Sequence, residues 1–294
     1  MSISPKELPD FSSFVCLDSR NALFIGGQKA KLASDDEELG LNTIIHVDLL
    51  KIQVTYLQEN LAYPRLKIKS IHCKNQSKIY VIGGYHNQVQ MSNKVEMLDI
   101  RRLNNKEKSL TVRTVSSLNQ PRAGFGVCSI KDRYLYVFGG YSIKSLRQSG
   151  AQLDTLFPVN TIERLETTTE LQAQQKWSKI DINGNYNCSL INNMMQFKVC
   201  QFTHQREERV LILGGENFTE GQISNQILEI KIKEPNGIFE EISFEKSELQ
   251  ISSDTIFQQG FIQTIKIDNY LYMMTGYRHI EAFDLNTSKN NIVC

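Results

Sequence analysis

The stretch Arg133-Tyr-Leu-Tyr-Val-Phe-Gly-Gly-Tyr141 decides the fold. It recurs as Lys78-Ile-Tyr-Val-Ile-Gly-Gly-Tyr85, as Asn21-Ala-Leu-Phe-Ile-Gly-Gly-Gln28 and as Arg209-Val-Leu-Ile-Leu-Gly-Gly-Glu216. A fifth copy, Asn269-Tyr-Leu-Tyr-Met-Met-Thr-Gly-Tyr277, has Thr275 in place of the first glycine. A run of four or five apolar, mostly β-branched or aromatic residues reads as a strand buried on both faces. The glycines that end it permit positive φ and close approach of another backbone. One such unit repeated along the chain predicts a repeat architecture.

Working outward, each glycine doublet is followed by a second recurring element. Asn42-Thr-Ile-Ile-His-Val-Asp48, Asn93-Lys-Val-Glu-Met-Leu-Asp99, Asn160-Thr-Ile-Glu-Arg-Leu-Glu166, Asn225-Gln-Ile-Leu-Glu-Ile-Lys231 and Arg278-His-Ile-Glu-Ala-Phe-Asp284 share apolar third and sixth places. The first place is Asn in four and the last is acidic in four, which predicts strands opened by an Asn turn and closed by an acid that accepts from backbone donors. An apolar stretch precedes each doublet, at residues 13–17, 68–73, 124–130, 197–202 and 261–267. A more polar stretch follows four of the Asn strands, at residues 54–58, 110–115, 176–182 and 239–244. Four strands per unit, the inner ones apolar and the outermost polar, describe the blade of a β-propeller.

Bulk composition narrows the functional classes. The 294 residues carry 33 Lys+Arg against 32 Asp+Glu, a formal charge of +1. That balance offers no attraction to nucleic acid or to a membrane surface. No apolar run reaches the roughly 18–20 residues of a membrane-spanning helix. The start of the sequence has no apolar core of a secretory signal, so a cytoplasmic setting is expected and the sequons at Asn75, Asn187, Asn217 and Asn286 should stay unmodified. Cys16, Cys73 and Cys128 precede their doublets by ten or eleven residues, which predicts small buried side chains, not a disulfide framework or a zinc site.

In these residues the chain resembles the Kelch-repeat family of β-propellers. The third unit carries the resemblance best, with Pro121-Arg122, Gly139-Gly140, Asn160 and Trp177; the second keeps Pro64-Arg65, Gly83-Gly84, Asn93 and Asp99. The resemblance implies an all-β fold of four-stranded antiparallel blades over residues 1–294, with five blades recognisable and six the alternative count. Glycine positions 26, 83, 139 and 214 are spaced by 57, 56 and 75 residues, longer than the roughly 50 usual for such repeats. The last unit lacks an evident fourth strand, and residues 1–12 are expected to supply it, because an open blade leaves an unpaired edge. If these residues are the complete chain, a bare propeller without an appended BTB-type or F-box-type domain is expected.

The expected function is non-catalytic protein interaction, as an adaptor or a structural subunit of a larger assembly, with no cofactor and no metal. Its partner would be a protein, and a cytoskeletal or ciliary home is the alternative to the general cytoplasm. Between the doublet and the next strand opener lie 14, 8, 19, 9 and 1 residues, and uneven loops on a repeating scaffold mark a binding face. Candidate contacts are Lys144, Arg147 and Phe157 in the longest loop, Tyr85, Tyr141 and Tyr277 after the doublets, and Arg65 and Arg122 near the same channel mouth. Arg and Tyr are the residues that interfaces most often use as anchors. The competing function is a sugar epimerase type of enzyme at the channel mouth, for which Glu216 and His86 are the available acid and base. The five histidines, His46, His72, His86, His204 and His279, have no metal-ligand spacing, and no nucleophile elbow or phosphate loop occurs.

Overall fold

The structure, a computed structural model, describes residues 8–29, 39–87, 90–103, 109–148, 151–168, 175–180, 193–205, 207–221, 224, 226–233, 241–247, 249, 263–276, 279–287 and 289–292. Among the described residues there is no α-helix, only the 3-10 turn Lys74–Gln76. No described helix is long and apolar enough to cross a membrane. Five four-stranded sheets follow one another along the chain, each with β-propeller blade organisation.

The first sheet contains β1 (Ser13–Cys16), β2 (Asn21–Ile25), β3 (Ile44–Asp48) and β4 (Gln53–Tyr56). The second contains β5 (Lys69–Cys73), β6 (Lys78–Ile82), β7 (Val95–Asp99) and β8 (Thr111–Val115). The third is built from β9 (Gly126–Ile130), β10 (Tyr134–Phe138), β13 (Ile162–Glu166) and β14 (Ser178–Ile180), interrupted by β11 (Tyr141–Gln148) and β12 (Ala151–Pro158). Ahead of the fourth lies β15 (Met194–Met195); the sheet itself is β16 (Lys198–His204), β17 (Glu207–Leu213), β19 (Ile227–Lys233) and β20 (Glu241–Lys246). Between β17 and β19, β18 (Glu216–Asn217) pairs back with β15. The fifth sheet is β21 (Gln263–Ile267), β22 (Tyr270–Gly276), β23 (His279–Asp284) and β24 (Lys289–Ile292).

The apolar repeat becomes the second strand of every sheet. In β6 and β10 only the first residue reaches solvent, while the outer strand β8 is exposed at three of its five positions. The acids at the ends of the third strands act as expected. Asp48 Oδ1 accepts from the backbone N–H of Leu50 and Lys51 at 3.1 and 3.0 Å, and Asp284 accepts from Asn286 at 2.9 Å.

The fourth strand of the last sheet differs from expectation. Lys289–Ile292 pairs with Glu281–Asp284 and fills the outer position expected for residues 1–12. Asp10 instead exchanges two backbone hydrogen bonds with Gln28, at 2.8 and 2.9 Å, in the first sheet's glycine loop. An outer strand has one neighbour only, so a short polar run suffices for it. Residues 1–7 lie outside the described residues.

The contacts divide the chain into two compact units: residues 1–137, 141–157 and 163–180, and residues 138–140, 158–162 and 181–294. In the first, Val15, Leu23, Ile25 and Ile44 of the first sheet pack with Ile79, Val81 and Leu98 of the second. Tyr80, Ile82 and Met97 of the second pack in turn with Val127, Leu135, Leu165 and Trp177. In the second unit Leu211, Leu213 and Ile227 meet Leu271, Met273 and Phe283.

The glycine doublet couples neighbouring sheets. Gly27 N–H donates to Arg65 O and Gly84 N–H to Arg122 O, each at 2.9 Å, and Gly140 N–H donates to Met194 O at 3.1 Å. Gly83 has φ of +58°, and a Cβ there would sit 2.7 Å from Arg122 O. The segment leading into the next sheet therefore seats directly on the doublet, which no larger residue allows.

Candidate functional site

The residues expected near the channel mouth divide sharply by burial. Arg65 and Arg122, expected as surface anchors, are 1% and 0% exposed. Arg65 Nη2 lies 2.6 Å from Glu96 Oε2, and its Nη1 donates to the carbonyls of Gly83 and Lys94 at 2.9 and 2.7 Å. Arg122 Nη2 lies 2.6 Å from Glu163 Oε1, and that glutamate is also 0% exposed. Each glutamate further accepts a backbone N–H of the lead-in segment, from Ala62 and Asn119 respectively, both at 2.6 Å. Burial pulls both guanidinium groups below the ordinary arginine value, and the paired carboxylate opposes that pull. These two pairs lock each lead-in segment to its own blade and present no charge to a partner.

Tyr85 and Tyr141 are also corrected from surface anchors to buried residues. After the doublet the chain stays extended and pairs with the lead-in segment of its own sheet, Tyr85 with Leu66 and Tyr141 with Ala123. Tyr277 lies outside the described residues. Arg147 lies in β11, but its side chain is outside the described residues.

The fourth sheet lacks the arginine–glutamate pair. Met194 occupies the place of Arg65 and Arg122, four residues before the inner strand and with its carbonyl on the preceding doublet. Leu228 faces Ile212 in the register where Glu96 faces Val81. Both members are replaced by apolar residues, and both are buried.

The longest loop, where Lys144 and Phe157 were placed, forms the two-stranded sheet β11–β12. Its strands are joined through residues 149–150, so they run antiparallel. Each spans 8 residues, and at ~3.3 Å per residue the arm is about 26 Å long. Its base is anchored where Tyr141 and Ala123 exchange backbone hydrogen bonds at 2.9 Å and Val159 N–H donates to Gly140 O at 2.9 Å. Beyond the base, Lys144, Asp154, Thr155 and Leu156 are exposed and Phe157 is half-buried. The fifth sheet makes the same connection with Gly276 opposite His279. Joining the second and third strands therefore needs no arm of this length.

A second cluster lies on the glycine-loop end of the first two sheets. Lys67 Nζ stands 5.2 Å from the Phe11 ring centroid and 5.6 Å from that of Tyr85, and Lys94 Nζ stands 5.4 Å from Tyr63. Lys67 N–H donates to Phe11 O at 3.1 Å, which joins the two residues through the backbone as well. Phe11 and Tyr63 remain exposed. Lysines held over aromatic faces beside exposed rings make a surface suited to protein contact. The sequence reading missed Phe11, Tyr63, Lys67 and Lys94, because their partners come from separate blades; the exposed aromatic in each lead-in segment was the available signal.

His86 and Glu216 are the base and acid considered for an enzyme. His86 Nδ1 lies 3.2 Å from Pro64 O, and Glu216 lies in β18 opposite Met195. Among the described residues no group of three or more His, Cys, Asp or Glu is placed to hold a metal. Cys73 and Cys128 are buried as expected, but Cys16 is exposed, its Sγ 3.1 Å from Asp18 O at the end of the short strand β1.

No family model matches the chain, and no curated protein matches it either.

Proposed function

We propose that this protein is a non-catalytic interaction module, a Kelch-type propeller of five blades that presents a rigid surface to a protein partner. The observation that carries this reading is the β11–β12 arm. A two-stranded hairpin alone is marginal in water, so a long arm anchored at its base and exposed above it is suited to being covered by another chain. Exposed Lys144, Asp154 and Leu156 combine both charges with an apolar residue, a mixture typical of protein interfaces. The Lys67 and Lys94 aromatic cluster extends the same kind of chemistry over the first two blades. The role is that of an adaptor or a stoichiometric subunit in the cytoplasm, with a cytoskeletal or ciliary assembly as the alternative home.

The test replaces residues 144–155 by Asn-Gly, which keeps the buried base Tyr141, Ser142 and Val159. Affinity purification from the native cell should recover a defined partner set with the full chain and lose it with the shortened one, at equal melting temperature. Partner sets that are identical for both proteins would refute the arm as the binding element. Turnover of a sugar substrate by the purified chain would refute the non-catalytic reading.

A further inference from the structure

The second sheet carries an open cleft of about 350 Å³ at the end opposite its glycine doublet. It is lined by Asp99, Arg101, Arg102, Leu110, Thr111 and Arg113. Three arginines face one carboxylate, and that carboxylate is already engaged, since Asp99 pairs with Arg101 through Nε at 2.9 Å. Among the described residues, the side chains of Arg102 and Arg113 have neither an ion-pair nor a hydrogen-bond partner. Both are exposed, and Arg113 stands on β8, the outermost strand, whose far edge nothing in its sheet covers.

We propose that this cleft binds an acidic, extended peptide segment of a partner protein, with Arg102 and Arg113 as the ligands for its carboxylates. Guanidinium groups donate to carboxylates in two-point contacts that lysine cannot reproduce. Arg101, neutralised by Asp99, shapes the wall and leaves the other two charges free. Leu110 and the stems of the arginines give the peptide an apolar floor. The exposed edge of β8 offers an extended chain a place to lie alongside the cleft. The chain's net charge of +1 conceals this local excess, because Arg101-Arg102 and Arg113 come together only through the pairing of β7 with β8.

The site is separate from the β11–β12 arm, so its test leaves the arm intact. Fluorescence anisotropy of a labelled Asp/Glu-rich peptide with the full-length protein should show saturable binding that weakens as salt screens the contact. Arg102→Gln with Arg113→Gln should weaken it at least about tenfold, as expected for losing charge-assisted bonds, at an unchanged melting temperature. A Lys-rich peptide of equal length should not bind. Equal affinity for the wild type and the double variant, or no binding of the acidic peptide at millimolar concentration, would overturn the proposal. Complete displacement by equimolar inorganic phosphate would assign a small-anion site instead, and tighter binding of a single-stranded oligonucleotide would assign nucleic acid; either would overturn the peptide as occupant.

Discussion

Replacing Arg122 by Met leaves Glu163 as a charge with no arginine in a fully buried site. The side chains of both residues are 0% exposed, and the lost contact is 2.6 Å long. Removing one partner of a buried ion pair costs about 3–5 kcal/mol. Glu163→Leu leaves the guanidinium equally stranded, and it also removes the acceptor of the Asn119 N–H. The double variant Arg122→Met/Glu163→Leu copies the arrangement that the fourth blade already has in Met194 and Leu228. It strands no charge, and its remaining cost is the carboxylate acceptor lost to the backbone N–H groups of Asn119 and Gln120, chiefly the shorter Asn119 contact, about 1–3 kcal/mol. The double variant should therefore be more stable than either single variant, with a coupling energy of at least about 3 kcal/mol. For a unit of this size each kcal/mol moves the melting temperature by roughly 2–4 °C. Calorimetry and urea unfolding of the four proteins measure this cycle. Single variants that each cost less than about 1 kcal/mol, or a double variant whose cost equals their sum, would refute the placement of this pair as a buried blade lock.

Two further outcomes follow from the titratable groups. Arg20, 2.9 Å away, holds the Asp48 carboxyl down at about 2, below its ordinary 3.8. The stability this gives is complete above the ordinary value and is lost as pH falls toward 2, so the gap between wild type and Asp48→Asn in urea midpoint should shrink over that window; a gap independent of pH would contradict it. Burial pushes the Cys73 thiol up to about 12, and Cys128 and Cys200 are also buried. In a chain with Cys188 and Cys294 changed to serine, a thiol reagent at pH 8 should label Cys16 rapidly and the other three only on unfolding; fast labelling of Cys73 in the folded protein would contradict the packing.

The strands were legible because their chemistry repeats. A run such as residues 79–82 can be apolar throughout only if both faces are covered, and the doublet after it marks where another backbone must approach. The roles of Arg65 and Arg122 were not legible from the same motif. An arginine after proline reads as a surface group until Glu96 and Glu163, some 30–40 positions later, are brought beside it by the third strand. The replacement of both partners in the fourth blade, by Met194 and Leu228, was the signal in the sequence. The β11–β12 arm had one sequence signal, Ser149-Gly150 as a two-residue connection. Residues 142–147 place apolar side chains only at Ile143 and Leu146, three apart, so no period-2 pattern marks the strand. The Lys289–Ile292 strand escaped notice because an outer strand needs little apolar content.

The central claim is that the arm meets a protein, and site-specific photocrosslinking in the native cell tests it most directly. A photoreactive residue at Lys144 or at Leu156, both exposed on the arm, should yield one defined adduct shared by the two positions. A control placed at Lys51, in the exposed β3–β4 turn at the end of the first sheet away from its glycine doublet, should not give that adduct. No adduct from either arm position, or the same adduct from Lys51, would contradict the account.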